Sequence, residues 1–199
     1  MADKAVIQVI DDDPAMRDSI AFLLEVQGFA CQLHPSATEY LEAMNAHPAD
    51  CILTDVRMPD MTGLELVRRL KAEGVSSPVI VMTAHGDIGL AVEAMKAGVV
   101  DFIEKPFENE VLIAAIGEAL RHGVAPRNAK EDAERRLESL SPRERDVLAG
   151  VVAGKVNKVI AYELEISPRT VEIYRANLMS KVGARNFSEL MRIALAAGM

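Results

Sequence analysis

Tryptophan is absent from this chain and aromatic residues make up only 4% of it, so any core must be assembled from Val, Ile, Leu, Met and Ala. Cysteine is equally scarce. Cys31 and Cys51 each lie in an apolar, strand-like stretch, which reads as two buried free thiols in a reducing compartment and gives little support to a disulfide or a two-Cys metal site. No run of about 18 apolar residues occurs, so no membrane-spanning helix is expected. Met1-Ala2-Asp3-Lys4 leads straight into a strand-like run without the apolar segment of a secretory leader, and the expected location is the cytoplasm. No internal repeat is visible. What remains is ordinary globular material, half apolar and 26% charged, whose 199 residues suit one medium domain plus one small one.

The net charge of −8 conceals an asymmetry. Residues 1–123 carry 9 Lys/Arg against 20 Asp/Glu, a net of −11, whereas residues 124–199 carry 13 against 10, a net of +3. Of the two halves, only the second is suited to meet a polyanion, and +3 is a modest charge for that task.

Short apolar runs alternate with helical patterns over the first 120 residues. Strand-like runs at Ala5–Ile10, Phe29–His34, Cys51–Thr54, Val79–Thr83 and Val99–Ile103 are followed in turn by helical patterns. These cover Ala15–Val26, Ala37–Asn45, Gly63–Lys71, Ile88–Lys96 and Glu108–Leu120. Five strand–helix units in series predict an α/β fold, a doubly wound five-stranded parallel sheet with helices on both faces. Val79-Ile80-Val81-Met82 is apolar at every position, as a strand covered on both faces should be. The apolar period ends near Arg121. Residues 122–138 read as a linker, its Lys130–Leu137 part being either a helical extension or a solvated tether. Residues 139–199 read as a second, all-α domain of four short helices. Ser141-Pro142-Arg143-Glu144 is a capping box with Pro at the first helical position, and Ser167-Pro168 repeats the Ser-Pro start.

In open parallel sheets, ligands bind beyond the carboxyl ends of the strands. Those ends carry Asp11-Asp12-Asp13, Asp55, Thr83 and Glu104-Lys105-Pro106. Asp11, Asp12 and Asp55 would repel one another unless a divalent cation joined them, and Mg²⁺ suits a site of carboxylates, waters and phosphate oxygens. A carboxylate beside Mg²⁺, a Lys and a hydroxyl is equipped to take up a phosphoryl group as an aspartyl phosphate. Each element alone is weak, since Asp-Asp after a strand is commonly a helix cap and Lys-Pro a helix stop. It is their joint occurrence at four strand ends that points to phosphoryl chemistry. Asp13 and Asp60 read as turn and solvent residues, and His34, His47 and His122 as ordinary. His85 is a loop histidine near the site with no proton to move, and its role stays open.

With Asp11-Asp12, Asp55-Val56-Arg57-Met58-Pro59-Asp60-Met61-Thr62-Gly63, Thr83-Ala84 and Lys105-Pro106, residues 5–120 resemble the flavodoxin-like receiver domains of two-component response regulators. The resemblance implies Asp55 as phosphoacceptor. It implies a Mg²⁺ pocket of Asp11, Asp12, Asp55 and the backbone carbonyl of Arg57, with Lys105 as phosphate partner. It further implies Thr83 and Phe102 as a switch pair, and a cis peptide bond before Pro106.

In the second domain, helical patterns at Asn157–Leu164 and Pro168–Val182 are joined by a tight turn, the pattern of a helix-turn-helix. On the latter, Val171, Tyr174, Leu178 and Val182 share one face and should pack inward, leaving Arg169, Glu172, Ile173, Ala176 and Asn177 outward. An exposed Ile between polar neighbours suits reading of a DNA major groove, although pattern alone fits an ordinary solvated helix equally well. Leu140-Ser141-Pro142-Arg143-Glu144-Arg145, Asn157-Lys158, Ile160-Ala161 and Ile166-Ser167-Pro168-Arg169-Thr170-Val171 resemble the LuxR-type output domain. Ile166–Asn177 and His85–Phe107 are similar to the FixJ subfamily of nitrogen-fixation regulators.

This resemblance implies a phosphorylation-dependent activator of transcription, cytoplasmic and not an enzyme. Its implied partners are double-stranded DNA, a sensor histidine kinase (in rhizobia an oxygen-sensing haem kinase), RNA polymerase and, on phosphorylation, a second copy of itself. The DNA-facing set is Lys158, Ser167, Arg169, Thr170, Glu172, Ile173, Arg175, Ala176 and Asn177. By position, Lys158, Arg169 and Arg175 suit phosphates, and Glu172, one residue after the inward Val171, suits either a base edge or an ion pair with Arg169 or Arg175 along the helix. Departures from the family pattern are Val159 for Glu, Tyr174 for His and Glu165 for Gly. If Glu165 must adopt positive φ, it costs about 1 kcal/mol against Gly.

Two other readings compete with this one. A haloacid-dehalogenase-type phosphatase also uses an Asp nucleophile with Mg²⁺, but it needs a general acid two residues on, where this chain has Arg57, which cannot donate a proton. A constitutive DNA-binding protein with an inert receiver conflicts with the intact Asp55, Thr83 and Lys105.

Overall fold

The structure is a computed structural model that describes residues 4–44, 48–84, 88–122 and 129–199. His47, His85 and the 123–128 part of the linker, on which sequence readings fell, lie outside the described residues. The chain divides into two compact units, residues 1–85 with 97–124 and residues 86–96 with 125–199.

The first 122 residues hold β1 (Val6–Ile10), α1 (Pro14–Val26), β2 (Ala30–His34), α2 (Ala37–Ala43), β3 (Cys51–Asp55), α3 (Gly63–Ala72), β4 (Val79–Thr83), α4 (Ile88–Ala97), β5 (Asp101–Glu104) and α5 (Asn109–His122). All strands pair in parallel in the order β2-β1-β3-β4-β5. Helical connections of this kind are what parallel pairing requires. β3 and β4 are buried at all five positions, so their apolar runs are continuous and not alternating. Ile7, Val9, Leu53, Ile80 and Met82 of the sheet pack with Ile20 and Leu24 of α1 and Leu112 and Ile116 of α5. Each such side chain contributes about 1.5–3 kcal/mol through burial.

Helix starts follow the local chemistry. The Asp13 carboxylate accepts from the Ala15 N–H at 2.9 Å with Pro14 in the first turn, so Asp13 is the N-cap of α1 and not merely a turn residue. Thr62 and Glu65 form a reciprocal capping box at the start of α3.

The C-terminal helices are α6 (Ala129–Glu138), α7 (Pro142–Val152), α8 (Asn157–Glu163), α9 (Pro168–Val182) and α10 (Phe187–Ala196). α6 occupies much of the stretch read as a linker, with Leu137 buried in the same apolar cluster as Val147, Val151, Ile160, Val171, Leu178, Leu190 and Met191. Ser141 and Glu144 cap α7 reciprocally. Glu144 is itself buried and accepts from Lys181 Nζ at 2.7 Å, tying the start of α7 to the end of α9. The Lys181 ammonium and the Ser141 N–H and hydroxyl hold the Glu144 carboxyl down at about 2. α7 and α8 approach closely at Gly150, where a Cβ would lie 2.8 Å from Ile160 Cγ1. Between α8 and α9, Glu165 has φ 56°, the left-handed conformation foreseen as a strain at this position. Cys31 and Cys51 are free thiols. Among the described residues, no helix is long and apolar enough to cross a membrane.

Candidate functional site

The registers Ile10↔Thr54, Asp55↔Met82 and Thr83↔Glu104 bring the ends of β1, β3, β4 and β5 to one rim of the sheet. There Lys105 Nζ donates to Asp11 Oδ2 at 2.6 Å and to Asp55 Oδ1 at 2.5 Å. Asp11 and Asp55 are buried, at 1% and 8% exposure, so their charges need a partner. The Lys105 ammonium stands between the two carboxylates, beside the place the sequence reading gave to a divalent cation. Burial pulls the Lys105 ammonium down, but the bonds and charges of Asp11 and Asp55 outweigh this and raise its pKa above the usual lysine value. The Lys105–Pro106 peptide bond is cis, as the resemblance implied.

Backbone groups fix the two carboxylates. Asp55 Oδ2 accepts from the Arg57 N–H at 2.6 Å, and Asp11 Oδ1 from the Asp13 N–H at 3.0 Å. Arg17, which the sequence reading did not single out, donates to the Asp11 carbonyl at 2.6 Å from the first turn of α1. Gly63 was likewise missed. A Cβ there would lie 2.2 Å from the Asp55 carbonyl oxygen, so only glycine allows α3 to start this close to Asp55. Asp12 and Arg57 are exposed beside the pair. Thr83 is buried at the end of β4, and its carbonyl accepts from the Lys105 N–H at 2.7 Å. Phe102 is half-buried on β5, opposite Val81.

Among the described residues, no three His, Cys, Asp or Glu side chains are gathered as a ready metal cage. The donors present are hard carboxylate oxygens. They fit Mg²⁺, which takes one or two carboxylates and keeps several waters.

His34 has no part in this chemistry. It is buried, with Nε2 2.7 Å from Gln8 Oε1 and its ring edge-on to Tyr40.

On α9, Val171, Leu178 and Val182 are buried and Tyr174 half-buried, whereas Arg169, Glu172, Ile173, Ala176 and Asn177 are exposed, as the helical period requires. Ser167 caps the helix, accepting from the Thr170 N–H at 3.0 Å, and its hydroxyl lies 2.7 Å from that of Thr170. Both hydroxyls are thereby engaged in the first turn. Lys158 is exposed on α8. Arg175 differs from the other basic residues. It is half-buried, Nη1 donates to Asn157 Oδ1 at 2.8 Å, and its Cζ stands 5.9 Å from the centre of the Phe187 ring. Burial lowers its pKa, partly offset by the charge of Glu172. Asn157 had no role in the sequence reading beyond the family motif, because nothing in the helical period reveals a partner 18 positions away.

Residues 7–117 match the family described as response regulator receiver domain, and residues 138–194 match the bacterial regulatory proteins of the luxR family. The chain is 50% identical over 202 residues to the transcriptional regulatory protein FixJ of Bradyrhizobium diazoefficiens, covering 100% of this chain and 98% of that one. It is 51% identical over 203 residues to FixJ of Azorhizobium caulinodans, covering 100% and 96%. Among solved structures, full-length FixJ from B. japonicum matches with a TM-score of 0.59 at 50% identity over 98% of each chain.

Proposed function

This chain belongs to the response regulators that join a receiver domain to a LuxR-type DNA-binding domain, and from that premise we propose that Asp55 accepts a phosphoryl group from a sensor histidine kinase and thereby activates transcription. The observation that carries the assignment is the single ammonium of Lys105 held against both Asp11 and Asp55 at the carboxyl ends of the strands. Residues 1–121 are read as the receiver, 122–138 as the connection and 139–199 as the output domain.

In the transfer, an Asp55 carboxylate oxygen bonds to phosphorus as the bond to the donor's imidazole nitrogen breaks, and that nitrogen keeps the electron pair. The Arg57 N–H orients the attacking carboxylate through its other oxygen. Lys105 is placed to follow the new phosphoryl oxygens, leaving its contact with Asp55, and Thr83 with Phe102 senses the change. Mg²⁺, when bound by Asp11, Asp12, Asp55 and the Arg57 carbonyl, would supply neutralisation of the equatorial oxygens. The phosphoryl group ends on Asp55 of the chain itself, one group per chain, so the role on this reading is that of a switch and not an enzyme.

The output side follows from α9. Arg169, Glu172, Ile173, Ala176 and Asn177 face solvent together on a segment of net positive charge, and α9 is the helix that enters the major groove. Phosphate contacts fall to Lys158 and Arg169, with Ser167 and Thr170 at the helix start. Further partners on this reading are RNA polymerase, a second copy of the chain through residues 87–120, and an oxygen-sensing haem kinase, with nitrogen-fixation genes as targets. A gel-shift against genomic fragments, with and without acetyl phosphate and Mg²⁺, tests it. Fragment-specific binding that strengthens with the phosphodonor supports the reading, and binding indifferent to it refutes the switch. Ultracentrifugation showing no mass change on phosphorylation would remove dimerisation as the cause and leave release of residues 139–199.

A further inference from the structure

α8 is a two-turn helix whose start has no side-chain cap, because its N-cap residue is Val156, which has nothing to offer the first N–H groups. Its first residue, Asn157, turns its Oδ1 to the Arg175 guanidinium of α9 at 2.8 Å. The Cζ of the same guanidinium lies over the ring of Phe187, the first residue of α10, 5.9 Å from its centre. One side chain near the middle of α9 therefore meets the opening residue of the helix before it and of the helix after it in the chain. Among the basic residues on or beside the proposed DNA-reading face, Arg175 is half-buried where Lys158 and Arg169 are exposed.

A guanidinium suits both tasks at once. Its N–H groups donate in the plane while its face meets an aromatic ring, whereas an ammonium is a point charge that cannot present an edge to one group and a face to another. The arrangement also sets the neighbouring chemistry. Lys158 follows Asn157 directly, so the bond that fixes Asn157 fixes the turn from which Lys158 reaches outward.

We propose that Arg175 is a positioning residue, not a phosphate contact: it locks α8 and α10 onto the recognition helix α9 and so holds Lys158 and the α9 face in one register for DNA. The proposal rests on the DNA-binding reading given above and replaces the phosphate role that the DNA-facing set of the sequence analysis gave Arg175.

The test uses the full-length chain with acetyl phosphate and Mg²⁺, and a duplex that the wild-type protein selects from a random library, beside a scrambled duplex. Arg175→Lys keeps the charge, and Asn157→Ala removes the carboxamide whose Oδ1 accepts from Arg175. Both are expected to weaken binding to the selected duplex at least tenfold while binding to the scrambled duplex stays within twofold. Unfolding would lower both, and loss of a phosphate contact would lower both alike. The double variant should lose little more than either single one. Amide hydrogen exchange across residues 157–163, measured without DNA, should quicken at least tenfold in each variant. Arg175→Lys binding the selected duplex within twofold of wild type, or exchange left unchanged in both variants, overturns the proposal. A wild-type protein that selects no sequence refutes the DNA-binding reading instead, and the exchange measurement still decides the lock on its own.

Discussion

The carboxylate of Asp60 closes the first turn of α2, with Oδ2 accepting from the Thr38 backbone N–H at 2.8 Å and from the Thr38 hydroxyl at 2.7 Å. The loop that leaves β3 thus holds the neighbouring helix, beside the helix's own Ser36 cap. Slight burial raises the Asp60 pKa, but the bonds from Thr38 outweigh it and hold the carboxyl below its ordinary value. Asp60→Ala is expected to lower stability by about 1 kcal/mol in urea unfolding. For a depressed carboxylate the stabilisation is present above its unfolded pKa and is lost as pH falls through the folded one. Wild type and variant should therefore converge in acid and differ fully at neutral pH.

Asp55→Asn should abolish the base-labile phosphoryl label taken up from acetyl phosphate. Full labelling at the wild-type rate would move the acceptor elsewhere.

Lys105→Ala leaves two buried carboxylates without the ammonium between them. Without divalent cations it should destabilise the receiver by about 3 kcal/mol. Millimolar Mg²⁺ should restore more stability to the variant than to the wild type, while the phosphorylation signal no longer reaches DNA binding. Urea melts with and without Mg²⁺ measure this, and an equal response of the two proteins would count against the shared site.

Glu165 occupies the left-handed region at φ 56° between α8 and α9. Glu165→Gly removes the steric penalty and should stabilise the chain by about 1 kcal/mol. Calorimetry of the full chain should place the gain in the transition of residues 139–199.

Glu172 stands exposed near the start of α9, and the guanidinium one turn along is turned to Asn157. On the DNA-binding reading proposed above, its carboxylate accepts from a cytosine N4 amino group. Glu172→Ala should relax preference at one base pair by about 1–3 kcal/mol, whereas Arg169→Ala should weaken all sequences alike and flatten the salt slope by about one unit. Selection from a random duplex library compares the two. An unchanged base preference in Glu172→Ala would leave its carboxylate a local charge partner for Arg175.

The sheet was legible because β3 and β4 are covered on both faces and read as unbroken apolar runs, and the acidic site because parallel strands deliver their carboxyl ends to one rim. Inward and outward faces of α9 followed from the period alone. What escaped were relationships between positions far apart in the chain. Asp60 looks like a turn residue until Thr38 is beside it, and Gly63 looks like any helix start until the Asp55 carbonyl approaches. Arg175 sits on the flank of α9, where the period cannot say whether a long side chain reaches solvent or a neighbouring helix. The repulsion among Asp11, Asp12 and Asp55 was foreseen, but Lys105 as the charge between two of them depended on the third dimension.

Lys105 and its two partners are separated by 94 and 50 positions. During synthesis the carboxylates emerge first and the ammonium last, since domains are made from the N-terminal end. A chain interrupted before β5 would present Asp11 and Asp55 with no ammonium to share, on a sheet still short of an edge strand. The charge balance of the buried pair is thus completed only by the last strand of the sheet, once the first domain has been made in full.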